Sequence, residues 1–228
     1  DVIAADAGAG LRGTAAALRS ALRSTEPAVL VLAGDVRTGP AGSSDEGAGG
    51  DGGAALLVGD DVDGEVVAEY LGGASATREF LDRWRVPGEA RTRAWEERFG
   101  EQRYAALAGL AWDAALKDAG VDATQVGTVA ISGAHARAGA SLAKKLGAAG
   151  IDVADTLASE VGFTGAAHPA LLLASVLDSA EPGQVIALVS MADGADVFVF
   201  RVTEAITARH PRGAESVADQ VAGGDDSL

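Results

Sequence analysis

Histidines are the side chains of this sequence best suited to acid–base chemistry at neutral pH, and there are three of them. His135 lies in a run of glycine and alanine directly after an apolar segment, where α/β proteins expose ligand-binding groups. We therefore take His135 as the candidate general base, and a locally hydrogen-bonded loop histidine is the alternative. His168 precedes Pro169, so there we favour a polar residue at a helix start.

Cysteine is absent, which excludes disulfides, thiolate metal ligands and a cysteine nucleophile from these residues. Three histidines also leave little room for an all-histidine metal centre. We accordingly expect no metal site and no covalently bound cofactor.

Cationic side chains that could meet a phosphate occur together at Arg137, Lys144 and Lys145. Their spacing is equally typical of a solvated helix face, and this is the interpretation we prefer. Gly8 and Gly10 near a helix start only weakly resemble a phosphate-cradling turn, and no Walker pattern occurs, so we expect no nucleotide binding. We expect the glycines at 50, 52 and 53 to allow a close approach between backbone segments.

Composition favours a globular protein and excludes several functional classes. The 228 residues are 48% hydrophobic and 22% charged, with a net charge of −15. Such an acidic protein would repel a nucleic-acid backbone, so we expect no nucleic-acid partner. No apolar run reaches the roughly 20 residues of a membrane helix, and we expect a cytoplasmic protein without membrane contact.

The elements that must position these residues alternate between helix and strand patterns, which predicts an α/β fold. Residues 148–164 are expected to form a loop, and the chain from His210 onward a polar tail. The apolar strand Ala28–Asp35 is expected to be covered on both faces, and segments 54–59 and 65–71 to form a hairpin. Predicted helices cover 11–25, 94–117, 136–146 and 169–180, and the further strands cover 126–132, 184–192 and 196–203.

Four aromatic residues surround the start of the long predicted helix: Trp84, Trp95, Phe99 and Tyr104. We expect them to fasten the preceding segment and this helix to the body of the protein. The alternative is that they line a tunnel for an acyl chain.

An internal repeat is the most informative pattern. Residues 13–35 and 167–193 each contain an apolar helix, a Glu-Pro pair and an apolar strand, and each is followed by another strand. Such self-similarity indicates a duplicated supersecondary unit. A helix, a strand and another helix precede the second copy, whereas the first copy has no counterpart. The sequence therefore predicts that the front part of the first half-repeat is missing, either removed or supplied elsewhere, which would suit a fragment of a longer protein.

The repeat and the segment Asp51-Gly-Gly-Ala-Ala-Leu-Leu-Val-Gly59 resemble the thiolase superfamily. Residues 29–39 (VLVLAGDVRTG) are similar to its 3-hydroxy-3-methylglutaryl-CoA (HMG-CoA) synthase branch. The aromatic segment 84–104 is similar to members associated with a DUF35-type zinc-ribbon/OB-fold protein. The resemblance covers about residues 1–206.

The resemblance implies a fold of duplicated α-β-α layers. It also implies an activity on acyl-CoA substrates, in carbon–carbon bond chemistry. It implies a homodimer through strand 28–35. For Asp35 and Arg37, at the end of that strand, the alternatives are a pair with each other or a contact across the dimer, and we prefer the contact across the dimer. A thiolase and a DUF35-type protein are the implied further partners. In domain terms, 1–74 would be the remainder of the N-terminal half, 75–93 a connecting segment, 94–206 the C-terminal half and 207–228 a polar tail.

The catalytic positions of the family fall on residues that depart from its pattern. Counting along the matching motifs puts Gly10 at the cysteine nucleophile, Ser132 at the histidine and Phe163 at the asparagine. Glycine cannot form an acyl-enzyme, so the sequence predicts an acyl-CoA-binding or structural subunit of an acyltransferase complex. The alternative is an active acyl-CoA enzyme, with HMG-CoA synthase-like condensation or aldol and retro-aldol chemistry, in which His135 acts as the base. Whether the chain is an enzyme stays open at this point.

Overall fold

The computed structural model describes residues 2–8, 10–60, 65–80, 82–84, 86–89, 93–94, 96–208 and 215–224. Its helices are α1 (Gly13–Ala21), α2 (Ser44–Ala48), α3 (Glu97–Ala119), α4 (Ala136–Ala148), α5 (His168–Ser179) and α6 (Val217–Ala222). Its strands are β1 (Ala28–Asp35), β2 (Gly52–Gly59), β3 (Ala68–Ala76), β4 (Arg83–Trp84), β5 (Arg93–Ala94), β6 (Val126–Gly133), β7 (Asp152–Val153), β8 (Val185–Met191) and β9 (Ala195–Val202).

A five-stranded mixed sheet in the order β3-β9-β8-β6-β7 forms the centre of the fold. Strands β7, β6 and β8 run parallel, because helices α4 and α5 connect them as crossovers. Strand β9 returns antiparallel beside β8, and β3 pairs antiparallel with β9. Every residue of β8 is buried, as expected for a central strand with helices on both faces.

Two apolar clusters pack against the opposite faces of this sheet. One consists mainly of side chains from α3 and α4 with Val129, Ile131 and Val189. The other joins α1 and α5 to Ala130, Leu188 and Phe198. Beyond α1 and α5 lies the separate β1–β2 sheet, so the layers run helix, sheet, helix, sheet.

Both copies of the predicted repeat form the same unit. In each, a helix leads through the Glu-Pro pair into an antiparallel strand pair, as α1-β1-β2 and as α5-β8-β9. The α/β prediction is therefore confirmed. Local signals also act as expected, since Gly120 ends α3 in the left-handed region at φ 64°.

Three expectations are wrong. Strand β2 pairs with β1 whereas β3 pairs with β9, so 54–59 and 65–71 do not form a hairpin. Strand β1 is covered on one face only, with Leu30 58% and Leu32 72% exposed. Segment 148–164 includes β7, because its residues 152–153 extend the sheet beside β6.

Strand β3 crosses the predicted boundary at residue 74, because it runs from Ala68 to Ala76, and it pairs with β9 in the large sheet. The predicted polar tail also contains order, because α6 packs on α5 with Val217 buried. The Val217 amide donates to Asp178 Oδ2 at 2.7 Å. Residues 209–214 and 225–228 of the predicted tail lie outside the described residues.

Candidate functional site

The carboxyl ends of β6 and β8 place two serines side by side. Ser132 and Ser190 are partners in the parallel register, and both are buried. The chain leaves β6 towards β7 on one side and leaves β8 towards β9 on the other. The crevice at such a switch point is where open α/β sheets bind ligands.

Ser132 is hydrogen-bonded to His168, the first residue of α5. The distance from Ser132 Oγ to His168 Nδ1 is 2.9 Å, and His168 Nε2 lies 3.0 Å from the Thr156 carbonyl oxygen. Both side chains are almost completely buried. Ser132, which the resemblance assigns to a histidine position, is thus paired with a histidine that another element supplies.

Electrostatics and geometry together define the protonation of this pair. Burial lowers the pKa of His168, and the hydrogen bond to Thr156 only partly opposes that effect. A neutral imidazole has one N–H, and the Thr156 carbonyl can only accept, so Nε2 donates there. Nδ1 is then the acceptor, and Ser132 Oγ–H donates to it. This is the arrangement by which a base can activate a hydroxyl group.

Phe163 covers the same histidine from the loop before α5. Its ring makes an edge contact with the His168 ring at a centroid distance of 5.0 Å. The Arg37 guanidinium lies over Phe163 at 5.8 Å. An aromatic ring therefore occupies the sequence position where the family asparagine is expected, and it adds an apolar wall rather than a hydrogen-bond donor.

The Phe163 loop is held by the glycine segment before β2. Phe163 forms a bridge with Gly49, and its amide donates to Ala48 O at 2.8 Å. A Cβ at Gly50 would lie 1.7 Å from Val161 O, and one at Gly52 would lie 2.7 Å from the Thr164 Cβ. The close approach predicted between backbone segments is confirmed at Gly50, whereas the atoms nearest Gly52 belong to the Thr164 side chain. Gly53 has no such contact, since its nearest neighbour would be Ala33 O at 3.7 Å.

Helix α1 and strand β1 contact the same loop. Thr14 Oγ1 donates to Ala166 O, and the Ala166 amide donates to Asp35 Oδ2 at 2.9 Å. Asp35 also lies 3.9 Å from Arg37, so these two residues do form an ion pair within the chain. The start of α1, the Phe163 loop and the Ser132–His168 pair therefore belong to one region. Gly10 lies just before α1, is exposed, and would have open space around an added Cβ.

His135 lies in a different cluster, on the α3 and α4 side of the sheet. It is buried at the start of α4, where its Nδ1 accepts from the Ala138 amide at 3.1 Å. Its ring lies 5.9 Å from that of Tyr104. The local hydrogen bond is the one expected under the alternative interpretation, a locally hydrogen-bonded histidine. A catalytic role for His135 stays a prediction.

The aromatic segment is partly described. Tyr104 fastens the connecting segment to α3, because it packs edge-on against Phe80 at 5.3 Å and donates to Asp82 Oδ2 at 3.3 Å. Burial raises the pKa of Tyr104, and the nearby Asp82 carboxylate raises it further. Trp84 is half-buried in β4, and Trp95 lies outside the described residues.

Sequence reasoning missed His168 as a site residue. The helix-start interpretation was correct in position, but burial and the bond to Ser132 come from packing of α5 against β6. One signal was available: His168 lies only five residues after Phe163, inside the motif that carries the family asparagine.

The cationic residues of α4 lie apart from this region. Arg137, Lys144 and Lys145 are exposed on α4, as expected of a solvated face. Within the described ranges, no cluster of three metal-ligating side chains occurs. No helix there combines the length and apolar character needed to cross a membrane.

Comparison with known proteins identifies the fold. No protein-family model matches the sequence, and no curated protein is significantly similar to it. Solved structures do match. They include 3-oxoacyl-(acyl carrier protein) synthase III, FabH, from Pseudomonas aeruginosa PAO1, with a TM-score of 0.67, 20% identity and coverage of 85% of this chain and 64% of that chain.

Two further structural matches have similar statistics. MvaS in complex with 3-hydroxy-3-methylglutaryl coenzyme A gives a TM-score of 0.64 at 20% identity, covering 88% of this chain and 59% of that one. An HMG-CoA synthase complexed with CoA gives 0.60 at 19% identity, covering 86% and 53%. These neighbours are thiolase-superfamily enzymes, and the chain spans between about half and two thirds of their length. The protein therefore has a thiolase-like α/β fold.

Proposed function

We propose that this chain is a thiolase-fold subunit that binds acyl-CoA or supports an acyltransferase complex, without forming an acyl-enzyme itself. The observation that carries the proposal is the state of the three family positions. Gly10 has no nucleophile, Phe163 has no polar group, and Ser132 is sealed by its hydrogen bond to a buried His168.

The surface supports a role within an assembly. The outer face of the β1–β2 sheet carries exposed Leu30, Leu32 and Leu57, and Leu30 and Leu57 are register partners. Contiguous apolar surface of this kind marks an interaction site. A homodimer through strand 28–35 and a DUF35-type partner are the finer parts of this proposal. Native mass spectrometry after co-expression with genomic neighbours tests both.

A direct test of the proposal is acylation. The natural chain, incubated with acetyl-CoA and analysed by intact mass spectrometry, should show no covalent acyl adduct, while calorimetry should show reversible acyl-CoA binding. A stable acyl adduct on the natural chain would overturn the proposal.

Gly10→Cys is the matched variant. Open space around the Gly10 Cβ accepts a thiol, and a helix start lowers the pKa of a nearby cysteine. We expect this variant alone to acquire an adduct, because the missing nucleophile is then restored at the start of α1. Gly47→Cys, which introduces an exposed thiol in α2 with open space around its Cβ, controls for nonspecific acylation.

A second candidate function rests on the Ser132–His168 hydrogen bond. An acyl-CoA enzyme that works by general acid–base catalysis needs a base but no cysteine, and a neutral His168 meets that need chemically. In this case His168→Ala should abolish turnover of an acyl-CoA substrate. His135→Ala distinguishes the two candidate bases. Turnover should be unchanged in this variant if His168 is the base, and it should be lost if His135 is the base.

A further inference from the structure

Three arginines lie along one face of the α1 segment. Arg19 lies within α1, Arg12 directly precedes it, and Arg23 lies two residues after its end. Together with serine and threonine hydroxyls they line an open groove of about 900 Å³. We call it the α1 groove; its other lining residues are Ala16, Ser20, Ser24, Thr25, Ser75, Thr77 and Asp196.

Arg12 is fixed as one wall of the α1 groove. Its Nε donates to Asp196 Oδ2 at 2.7 Å, and its terminal nitrogens donate to Thr77 Oγ1 at 2.8 Å and Ser75 Oγ at 2.6 Å. Because both hydroxyl oxygens accept from Arg12, their own hydrogens stay available as donors.

Arg19 is held in place with donors to spare. Its Nη2 donates to Ala74 O at 3.0 Å and to Asp196 Oδ1 at 2.8 Å. The guanidinium lies 5.0 Å from the centre of the Phe198 ring. An arginine has five N–H donors, so a preorganised part of this group can still bind a ligand.

Arg23 pairs with no carboxylate in the described part of the chain. Arg23 interacts electrostatically with Tyr70. Burial raises the pKa of Tyr70 although Arg19 and Arg23 oppose that effect, so the phenol is neutral at pH 7. The lining residues thus contain three guanidinium groups and one carboxylate. In a chain of net charge −15, this is a local excess of positive charge.

We propose that the α1 groove binds the phosphate groups of a phosphorylated small molecule, with Arg19 and Arg23 as the charged contacts. The choice of acyl-CoA as the expected ligand rests on the function proposed above. The phosphate site itself is argued from the groove. Fixed guanidinium groups suit phosphate oxygens, and the volume lies in the range of small-molecule sites.

The test is calorimetric titration of the full chain with CoA, inorganic pyrophosphate and pantetheine, which has no phosphate. We expect CoA and pyrophosphate to bind, and pantetheine to bind at least tenfold more weakly than CoA. Arg23→Gln should weaken CoA and pyrophosphate binding about tenfold, the effect of losing one charge-assisted hydrogen bond. Lys145→Gln, which removes the same charge from α4, should leave both affinities unchanged.

The outcomes separate this inference from the proposed function. CoA binding that is equally tight in Arg23→Gln overturns the groove and leaves acyl-CoA binding elsewhere intact. Pyrophosphate binding that is lost in Arg23→Gln, without any CoA binding, supports the groove and contradicts acyl-CoA as its ligand. If neither phosphate compound binds and a glutamate-rich peptide does, the groove is a protein-docking surface and the inference is wrong. The Arg23 side chain makes no hydrogen bond to the described residues, and its backbone bond to Ser20 O is kept in the variant, so the melting temperature should be unchanged.

Discussion

The two copies of the repeat, α1-β1-β2 and α5-β8-β9, have the same order of elements but opposite surroundings. Strand β8 has β6 on one edge, β9 on the other and helices on both faces, and all its residues are buried. Strand β1 has only β2 beside it in the described structure, and its alternate residues are exposed. An apolar strand sequence therefore does not determine its own burial; the neighbouring elements do.

Substitution of equivalent leucines should give the largest contrast between the two copies. Counting back from Asp35 and Asp193 makes Leu30 and Leu188 counterparts. Leu188→Ala should lower the free energy of unfolding by about 2–5 kcal/mol, because it leaves a cavity at a 1% exposed position. In dilute, monomeric protein, where the outer face of β1 is uncovered, Leu30→Ala should change it by about 0.5 kcal/mol or less. Urea unfolding followed by fluorescence measures both.

An equally large loss in Leu30→Ala would break this comparison. It would mean that the β1 face is covered in solution. Dilution distinguishes the reason, since a cover formed by a second copy makes the stability depend on protein concentration.

A smaller effect should appear in the pH dependence of stability. The pKa of His168 is lowered in the folded protein, so the unfolded chain binds this proton more readily. Stability should therefore be complete above the unfolded pKa of about 6.5 and fall as the pH drops below it. Unfolding measured from pH 8 to pH 5.5 should show this loss.

His168→Gln is the control for that prediction. It keeps a hydrogen-bonding group near Ser132 but cannot titrate in this range, so its stability should depend less on pH than that of the natural chain. The same pH slope in both proteins would contradict a neutral, buried His168. The α1-β1-β2 copy contains no histidine. A pH dependence that comes from His168 would therefore belong to the α5-β8-β9 copy alone.

The smallest expected effects concern two buried threonines where the copies meet. Thr164 Oγ1 has no hydrogen-bond partner among the described residues and lies against Gly52, whereas Thr14 Oγ1 donates to Ala166 O. Thr164→Val should be neutral or stabilise by up to about 1 kcal/mol, because it removes an unsatisfied hydroxyl. Thr14→Val should destabilise by about 1 kcal/mol, and thermal unfolding of both variants checks the pair. A clear loss in Thr164→Val would show that its hydroxyl has a partner.

Local patterns were sufficient for most elements and for the repeat. Strand Ala28–Asp35 has the predicted bounds, and Gly120 ends α3 as expected, because these signals act within a few residues. The pairing of β3 was beyond such signals. Its partner β9 lies more than a hundred residues further along, and sequence proximity to β2 favoured the wrong neighbour.

The candidate site divides in the same way. The sequence by itself determined that cysteine is absent and where a glycine permits a close backbone contact, and it predicts Gly10, Ser132 and Phe163 at the positions that the resemblance assigns to catalysis. Only the tertiary structure decided that His168 is buried against Ser132, that His135 lies on the other side of the sheet, and that three arginines face one groove. The reason is physical: residue type sets the chemistry that a side chain can perform, whereas its partners and its access to water depend on segments distant in the chain.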